Sequence, residues 1–328
     1  MAERGRYDLG FNAATGARAE AFIAEVVRAA RQRRIRCLPV ANGQSERIAR
    51  GVDRRRIEVS LFLNTQADGV NMESPAMLLC RSLKAAGSLV VEDPDDAPVY
   101  ANRATQMRYL ERAGIAVPRF VVINGRPRER SALSATQRTR LGAVWTARPA
   151  LGMGQSRSLT SRSRKIGAAL SRAGFAPGQK VLLCRHHEPA TLGEHELRFR
   201  VWYLFGQIVP CWWPRGGRHP HWMTADDWEP GRLTDVTNCV VQIARITGLD
   251  WFMTELLVTR SRSKPELLVT EPANALASLG PGAKPLAEVP ADVLRLAADR
   301  IVEIAWRRAH KLPLTTGTSA HLVPSARR

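Results

Sequence analysis

The sequence predicts an α/β chain in two parts, a small parallel α/β domain over residues 1–95 and a larger α+β body over residues 96–312. In the first part amphipathic helical stretches alternate with short apolar runs, the pattern of strand–helix–strand crossovers. In the second, paired apolar runs flank glycine or short polar turns, as antiparallel hairpins do. The length, 328 residues, also exceeds what one small core organises.

Over residues 16–34, Phe22, Ile23, Val26, Val27 and Ala30 recur at helical spacing with charges between them, which predicts a surface helix. Strands follow at 35–40 and 57–63. Ser74 and Pro75 announce a second helix running to about residue 86, because serine can cap a free N–H and proline has none to lose there. A strand spans 88–92. Residues 93–98 are acidic, carry two prolines and read as a linker. Beyond it a helix over 99–113 is closed by Gly114. Strands are expected at 119–123, 143–148 and 180–185, with a Ser/Arg-rich helix at 162–173 before the last. Runs at 196–205 and 207–213 about Gly206 suggest a hairpin, or two unrelated strands. A helix at 234–247, a second hairpin from 252–259 and 266–270, and a last helix at 291–309 complete the body. The tail, 313–328, is expected to lack fixed structure.

A content of 45% hydrophobic and 24% charged residues excludes wholesale disorder. No run approaches the roughly 18 apolar residues of a membrane span, and the first 16 residues lack the apolar core of a signal peptide, so the expected address is the cytoplasm. Cys37, Cys80, Cys184, Cys211 and Cys239 are odd in number and form no CxxC pair, which argues for reduced thiols. Net charge is +19, and only six of the 49 basic residues are lysine, a bias toward arginine. Such a field attracts polyanions. The basic residues are spread along the chain with local clusters at 31–36 and 54–56, so solvated faces are preferred to a nucleic-acid surface. His186, His187, His219 and His221 have no cysteine partners at zinc-site spacing and read as ordinary histidines. Five of eight tryptophans lie between Trp202 and Trp228; they either line a pocket or pack a core.

Several elements that can carry chemistry occur in a fixed order. Asn102-Arg103 opens a helix. Trp145-Thr146-Ala147-Arg148-Pro149 leads into Gly152, Met153 and Gly154, where backbone N–H groups could cradle a polyphosphate or the glycines could simply turn the chain. The loop is neither a Walker loop nor a GxGxxG fingerprint. Arg198 and Arg200, two apart on a strand, share a face and can aim two guanidiniums at one anion. Glu255, Glu271 and Asn274 fall on the last hairpin as hard oxygen donors suited to Mg²⁺.

In this order and spacing, the segment from about residue 93 to 310 resembles the ATP-grasp family, most closely the RimK-like carboxylate–amine ligases. The resemblance implies two α+β lobes, 96–184 with the phosphate loop and 185–312 with the metal site, preceded by a Rossmann-like domain. It implies ATP as the nucleotide and Mg²⁺, or Mn²⁺ in its place, held by Glu255, Glu271 and Asn274. The usual motif there spaces acid and asparagine by one residue; here Pro272 and Ala273 both intervene. Arg103 and Arg148 stand where relatives use two lysines on phosphates, an exchange that keeps charge but changes geometry. The strand at 180–185 leads into the hinge, which puts Cys184 and His186 near adenine and makes Glu188, then Glu194, the candidate for ribose. Arg200, helped by Arg198, would stabilise charge on the transferring phosphoryl group.

The implied function is an ATP-dependent carboxylate–amine ligase acting through an acyl-phosphate. The alternative is an ATP-grasp-like protein that binds nucleotide or polyanion without ligation. Expected partners are small-molecule or peptide carboxylates and amines, with no membrane, nucleic acid less favoured, and a homodimer in keeping with relatives. Loss of Glu271 is expected to abolish turnover and leave the fold intact.

Overall fold

The computed structural model describes residues 5–12, 17–65, 73–96, 102–125, 133–151, 159–163, 165–176, 178–192, 195–213, 221–223, 230–260, 265–274, 290–314 and 321–322. Its first unit is a parallel sheet of β1 (Gly5–Asn12), β2 (Cys37–Val40), β3 (Ile57–Leu63) and β4 (Leu89–Val91), in the order β2-β1-β3-β4. From β1 the chain steps one way to β2, then jumps back across to β3, so right-handed crossovers require helices on both faces. The packing agrees. Phe22, Val26 and Ala30 of α1 (Ala17–Gln32) lie with Leu9, Leu61 and Leu63 on one face. Ile48 and Val52 of α2 (Ser45–Asp53) and Leu79 and Leu83 of α3 (Pro75–Ala85) lie with Val59 and Phe62 on the other. The Ser74 side chain accepts a hydrogen bond from the Met77 N–H, and Pro75 opens α3 as expected.

β1 and α2 are additions to the sequence-based expectation. β1 begins GRYD, so its apolar face is confined to its last residues, and α2 is short and lacks a side-chain cap.

The second unit is an antiparallel sheet of β5 (Phe120–Gly125), β6 (Trp145–Pro149), β7 (Leu159–Ser161) and β8 (Gly178–Arg185), ordered β5-β8-β6-β7. The helices α5 (Ala135–Leu141) and α6 (Ile166–Arg172) contribute Leu141, Ile166 and Leu170 to its core. Between the first two units runs α4 (Arg103–Arg112), within the expected 99–113, of which 99–101 lie outside the described residues, followed by Gly114 at φ +79°.

The third unit is antiparallel, with β9 (Arg198–Leu204), β10 (Gln207–Trp212), β11 (Trp251–Val258) and β12 (Leu267–Asn274) in the order β10-β9-β11-β12. Phe205 at φ +50° and Gly206 at φ +85° form the two-residue left-handed turn that suits the twist of a β9–β10 hairpin. Val236, Val240 and Ile243 of α7 (Pro230–Thr247) pack on this sheet. Two short strands extend it beside β10, His221–Trp222 antiparallel and His321–Leu322 parallel. The latter lies inside the tail expected to be unstructured; the other residues of 315–328 lie outside the described ones.

The last helix, α8 (Ala291–Ala309), matches its expected bounds but not its expected company. Val293, Ala297, Ile301 and Val302 share one buried cluster with Leu9, Phe11 and Leu63 of the first sheet and with Trp202, Leu204 and Trp251 of the third. Arg300 of α8 donates to the carbonyls of Leu204 (3.4 Å) and Phe205 (2.6 Å), satisfying the backbone of the tight turn. All five cysteines are free. Among the described residues no helix is long and apolar enough to cross a membrane.

Candidate active site

The first residues of the site come from a row that strand register imposes. On adjacent antiparallel strands Arg200 of β9 is opposite Glu255 of β11, and Glu255 is opposite Glu271 of β12. Cross-strand partners stand about 5 Å apart, so the three charges form one line across the sheet. Past Glu271 the register shifts: Met253 and Glu255 are two apart, while their partners Asn274 and Glu271 are three apart. The extra residue of the Pro272–Ala273 pair is thus taken up in a β-bulge. Asn274 keeps its place in the ladder; its side chain is outside the described residues.

Two more arginines reach this row from the other sheet. Arg148 is on β6. Arg103 is the first residue of α4, and that helix end is pinned to the end of β6. The Arg103 N–H donates to the Ala150 carbonyl (3.1 Å), and the Asn102 side chain accepts from the Thr105 N–H (3.1 Å). Gln106 then ties α4 to β12 by donating to the Ala273 carbonyl (2.9 Å). The result is a network of five charges. Arg103 Nε and Arg148 each pair with a different carboxylate oxygen of Glu271. Arg200 pairs with Glu255 at 2.5 Å, and Arg148 approaches the other oxygen of Glu255 at 3.8 Å. The Arg200 guanidinium also lies 3.1 Å from the centre of the Trp213 ring, which brings a residue of the tryptophan cluster onto this network.

The network is buried: Arg103 is 2% exposed, Arg200 1%, Glu271 4% and Glu255 8%. Burial alone would raise the Glu255 carboxyl, but the charges of Arg200, Arg148 and Arg198 and the Arg200 hydrogen bond outweigh it and hold it at about 2. Burial pushes the Arg103 guanidinium down to about 10, opposed by Glu255. Buried ion pairs cost desolvation that their attraction barely repays, so a five-membered network is weak as a stabilising device. Among the described residues the network holds three guanidiniums and two carboxylates.

The low Glu255 value has a consequence for acid stability. The native group is depressed below its ordinary 4.5, so its contribution is present above that pH and is lost as the pH falls toward 2. Acid titration followed by tryptophan fluorescence is expected to show about 3 kcal/mol of stability lost across that window. A Glu255→Gln chain is expected to lack this part of the slope.

Beside the network a cleft of about 460 Å³ separates the second and third sheets. Arg103, Arg148, Arg198, Cys184, His186, Glu188 and Glu271 line it, so seven residues singled out in the sequence converge here. Gly152, Met153 and Gly154, and also Glu194, lie outside the described residues. His186 and Glu188 are joined at 2.9 Å, and the Glu188 carbonyl accepts from the Arg260 N–H (3.0 Å). Burial, with Arg148 opposing, raises the Cys184 thiol to about 12, which keeps it a neutral wall. Burial and the neighbouring Arg185 and His186 lower His187. The sequence reading missed Val144, Leu182 and Leu257, apolar walls fit for a planar base, and Thr160 and Arg162; Thr146 falls in the Trp145–Pro149 motif without a role of its own. Alternation along the strands could have flagged the apolar three; no motif marks Thr160 or Arg162.

No protein-family model matches the chain, and no curated protein matches it in sequence. Solved structures do match along nearly its whole length. D-alanine–D-alanine ligase from Bacillus anthracis in complex with ATP superposes with a TM-score of 0.63 at 10% identity, over 94% of this chain and 98% of that one. The chain has the ATP-grasp fold. A RimK-domain ATP-grasp protein from Sphaerobacter thermophilus gives 0.57 at 15% identity, over 90% and 98%. The ATP-grasp ligase PsnB, complexed with precursor peptide PsnA2 and AMPPNP, gives 0.60 at 13%, over 92% and 99%.

Beside the cleft stand donors for the metal that the fold implies. Glu255 and Glu271 are hard donors in register on neighbouring strands. Among the described residues no three His, Cys, Asp or Glu side chains cluster as a complete metal set. Mg²⁺ is satisfied by one or two carboxylates when phosphate oxygens and water complete its shell, so these residues fit a metal that arrives with a polyphosphate.

Proposed function

We propose that the chain is an ATP-dependent carboxylate–amine ligase. The observation that carries this reading is the row Arg200, Glu255, Glu271 set against Arg103 and Arg148 at the mouth of the cleft between the lobes. It combines fixed cations for a triphosphate with paired carboxylates for a metal. The solved structures of like fold include ligases bound to ATP or AMPPNP, which supports the same reading.

In this reading Arg103 and Arg148 turn from Glu271 to the phosphate oxygens as nucleotide enters. Each guanidinium would then exchange one anionic partner for another, and Glu271, with the Glu255 oxygen that faces Arg148, would hold the metal. Bound Mg²⁺ would supply neutralisation of phosphate charge. The apolar Val144, Leu182 and Leu257 receive the base, and Glu188, oriented by His186, meets the ribose. Arg200 is held rigid by Glu255 and the Trp213 face, and Arg198 lies beside it at the cleft. Together they stabilise charge as the substrate carboxylate takes the γ-phosphoryl group. The amine then displaces phosphate from the activated acyl carbon. Catalysis is positioning and electrostatics, and no protein nucleophile is required.

Because both carboxylates are already held by guanidiniums, calorimetric titration of Mg²⁺ alone is expected to give no binding heat, whereas ATP with Mg²⁺ binds. Arg148→Ala is expected to weaken ATP binding about tenfold or more, the scale of one charge-assisted contact. ADP release that depends on both a carboxylate and an amine then completes the assignment. ATP binding with no ADP release under any such mixture would instead favour the non-ligating alternative, and unchanged ATP affinity in Arg148→Ala would remove the site.

A further inference from the structure

The ligase reading leaves most of the +19 charge without a role. Because β1–β4 are parallel, all four strands start at one edge, and the turns that return from the helices end there. Both arginine clusters fall on these turns. Arg33, Arg34 and Arg36 lead into β2, and Arg54, Arg55 and Arg56 lead into β3. The Asp8 N–H donates to the Arg36 carbonyl (3.0 Å) and the Gly5 N–H to the Arg56 carbonyl (2.9 Å), which fixes the turns on either side of β1. Register sets the start of β2 four residues further along β1 than the start of β3, Leu9 being opposite Cys37 and Gly5 opposite Ile57, so across two strand spacings the turns stand about 16 Å from each other. All six side chains are exposed.

The end of α8 reaches the same edge, where Arg308 donates to the Gly87 carbonyl (2.9 Å). A cleft of about 770 Å³ opens here, lined by Arg6, Arg55, Arg308 and Lys311 against Asp53 and Glu58. Arg6, Arg55 and Lys311 have no ion-pair partner among the described residues. Composition alone does not explain the placement. Arg34, Arg55 and Lys311 hold φ of +55°, +53° and +56°, a region that favours glycine or asparagine, and at this edge all three positions are cationic.

We propose that this strand-start edge is a second binding surface, separate from the ATP cleft, and that its partner is the phosphodiester backbone of nucleic acid, gripped without base readout. Arginine matches phosphate with a fixed fork of donors. Exposed, unpaired cations gain affinity by releasing the counterions condensed on a dense polyanion, a gain that sparse carboxylates on an acidic peptide do not offer. A flat bilayer would not reach the cations inside the cleft.

The test is fluorescence anisotropy of a labelled single-stranded RNA of about 20 nucleotides across about 50–200 mM salt, the range in which such contacts weaken steeply. It compares the native chain with one carrying Arg33→Gln, Arg36→Gln, Arg54→Gln and Arg56→Gln. These side chains are exposed and make no hydrogen bond or ion pair among the described residues, so the fold is expected to persist, checked by the melting transition. The expected result is RNA affinity at least about tenfold lower in the variant and a log–log salt slope shallower by up to about three, with ATP binding unchanged. Three results would overturn the proposal. The native chain could fail to bind RNA at the lowest salt. The variant could bind as tightly as the native chain, which would move the contact elsewhere. Poly-glutamate of equal length could compete as well as RNA, which would make this an acidic-peptide surface.

Discussion

A Glu271→Gln chain is expected to lose about 3–5 kcal/mol of stability, the scale measured when one partner of a buried ion pair is removed. Glutamine keeps the volume, so packing is not the cause. Arg103 is almost fully buried, and its Nε pairs with Glu271. Arg148 keeps only its 3.8 Å approach to Glu255. A loss of this size is a large fraction of a typical domain's 5–15 kcal/mol, about that range being usual. The sequence alone leads to the expectation that losing Glu271 leaves the fold intact; the burial of Arg103 against it leads to a chain that is folded but less stable. A second variant separates stability from function. Glu271→Leu combined with Arg103→Met removes both charges, is expected to fall within about 1–2 kcal/mol of native, and still to lose metal-dependent ATP binding. Urea unfolding of the two chains, with ATP titration of the double variant, checks this. A single variant as stable as native would show that solvent reaches Arg103 and would dissolve the argument for a charged latch.

What made the site legible was spacing along strands. Arg198 and Arg200 share a face because side chains alternate, and the structure turns both toward Glu255. Glu255 and Glu271 follow from a hairpin visible as two apolar runs. The fold was legible where local chemistry was strong: Ser74-Pro75, Gly114 and the Phe205-Gly206 turn all mark boundaries the structure keeps. What the sequence hid was long-range. No local signal pairs Arg103 with a carboxylate 168 residues away. Nor can a sequence reading bring two arginine turns to one edge before the sheet order is known. The short α2 and α5 and the strand β7 each carry too few apolar residues for a period to stand out.

The position of α8 leads to the other large effect. A chain of residues 1–95 is expected not to fold cooperatively, although it contains every strand of the first sheet. In the full chain Val293, Ile301, Val302 and Ile304 of α8 are buried in the cluster that covers Leu9, Phe11, Leu61 and Leu63. At about 1.5–3 kcal/mol for each buried branched side chain, these four amount to about 6–12 kcal/mol, as much as such a small domain has to spare. Without α8 one face of the sheet has only α1 to cover it, and the small size of the fragment leaves no reserve. Residues 1–95 joined through a flexible glycine–serine linker to residues 290–312 are expected to regain a sigmoidal urea transition and protected amides. If 1–95 alone unfolds cooperatively, α8 is an accessory and the first sheet is an independent domain. If only the joined chain does, the parallel-sheet unit is built from residues 1–95 and α8 together, and that helix also braces the β9–β10 turn through Arg300. Motion of the first sheet would then be felt on the strand that carries Arg200, in the candidate site.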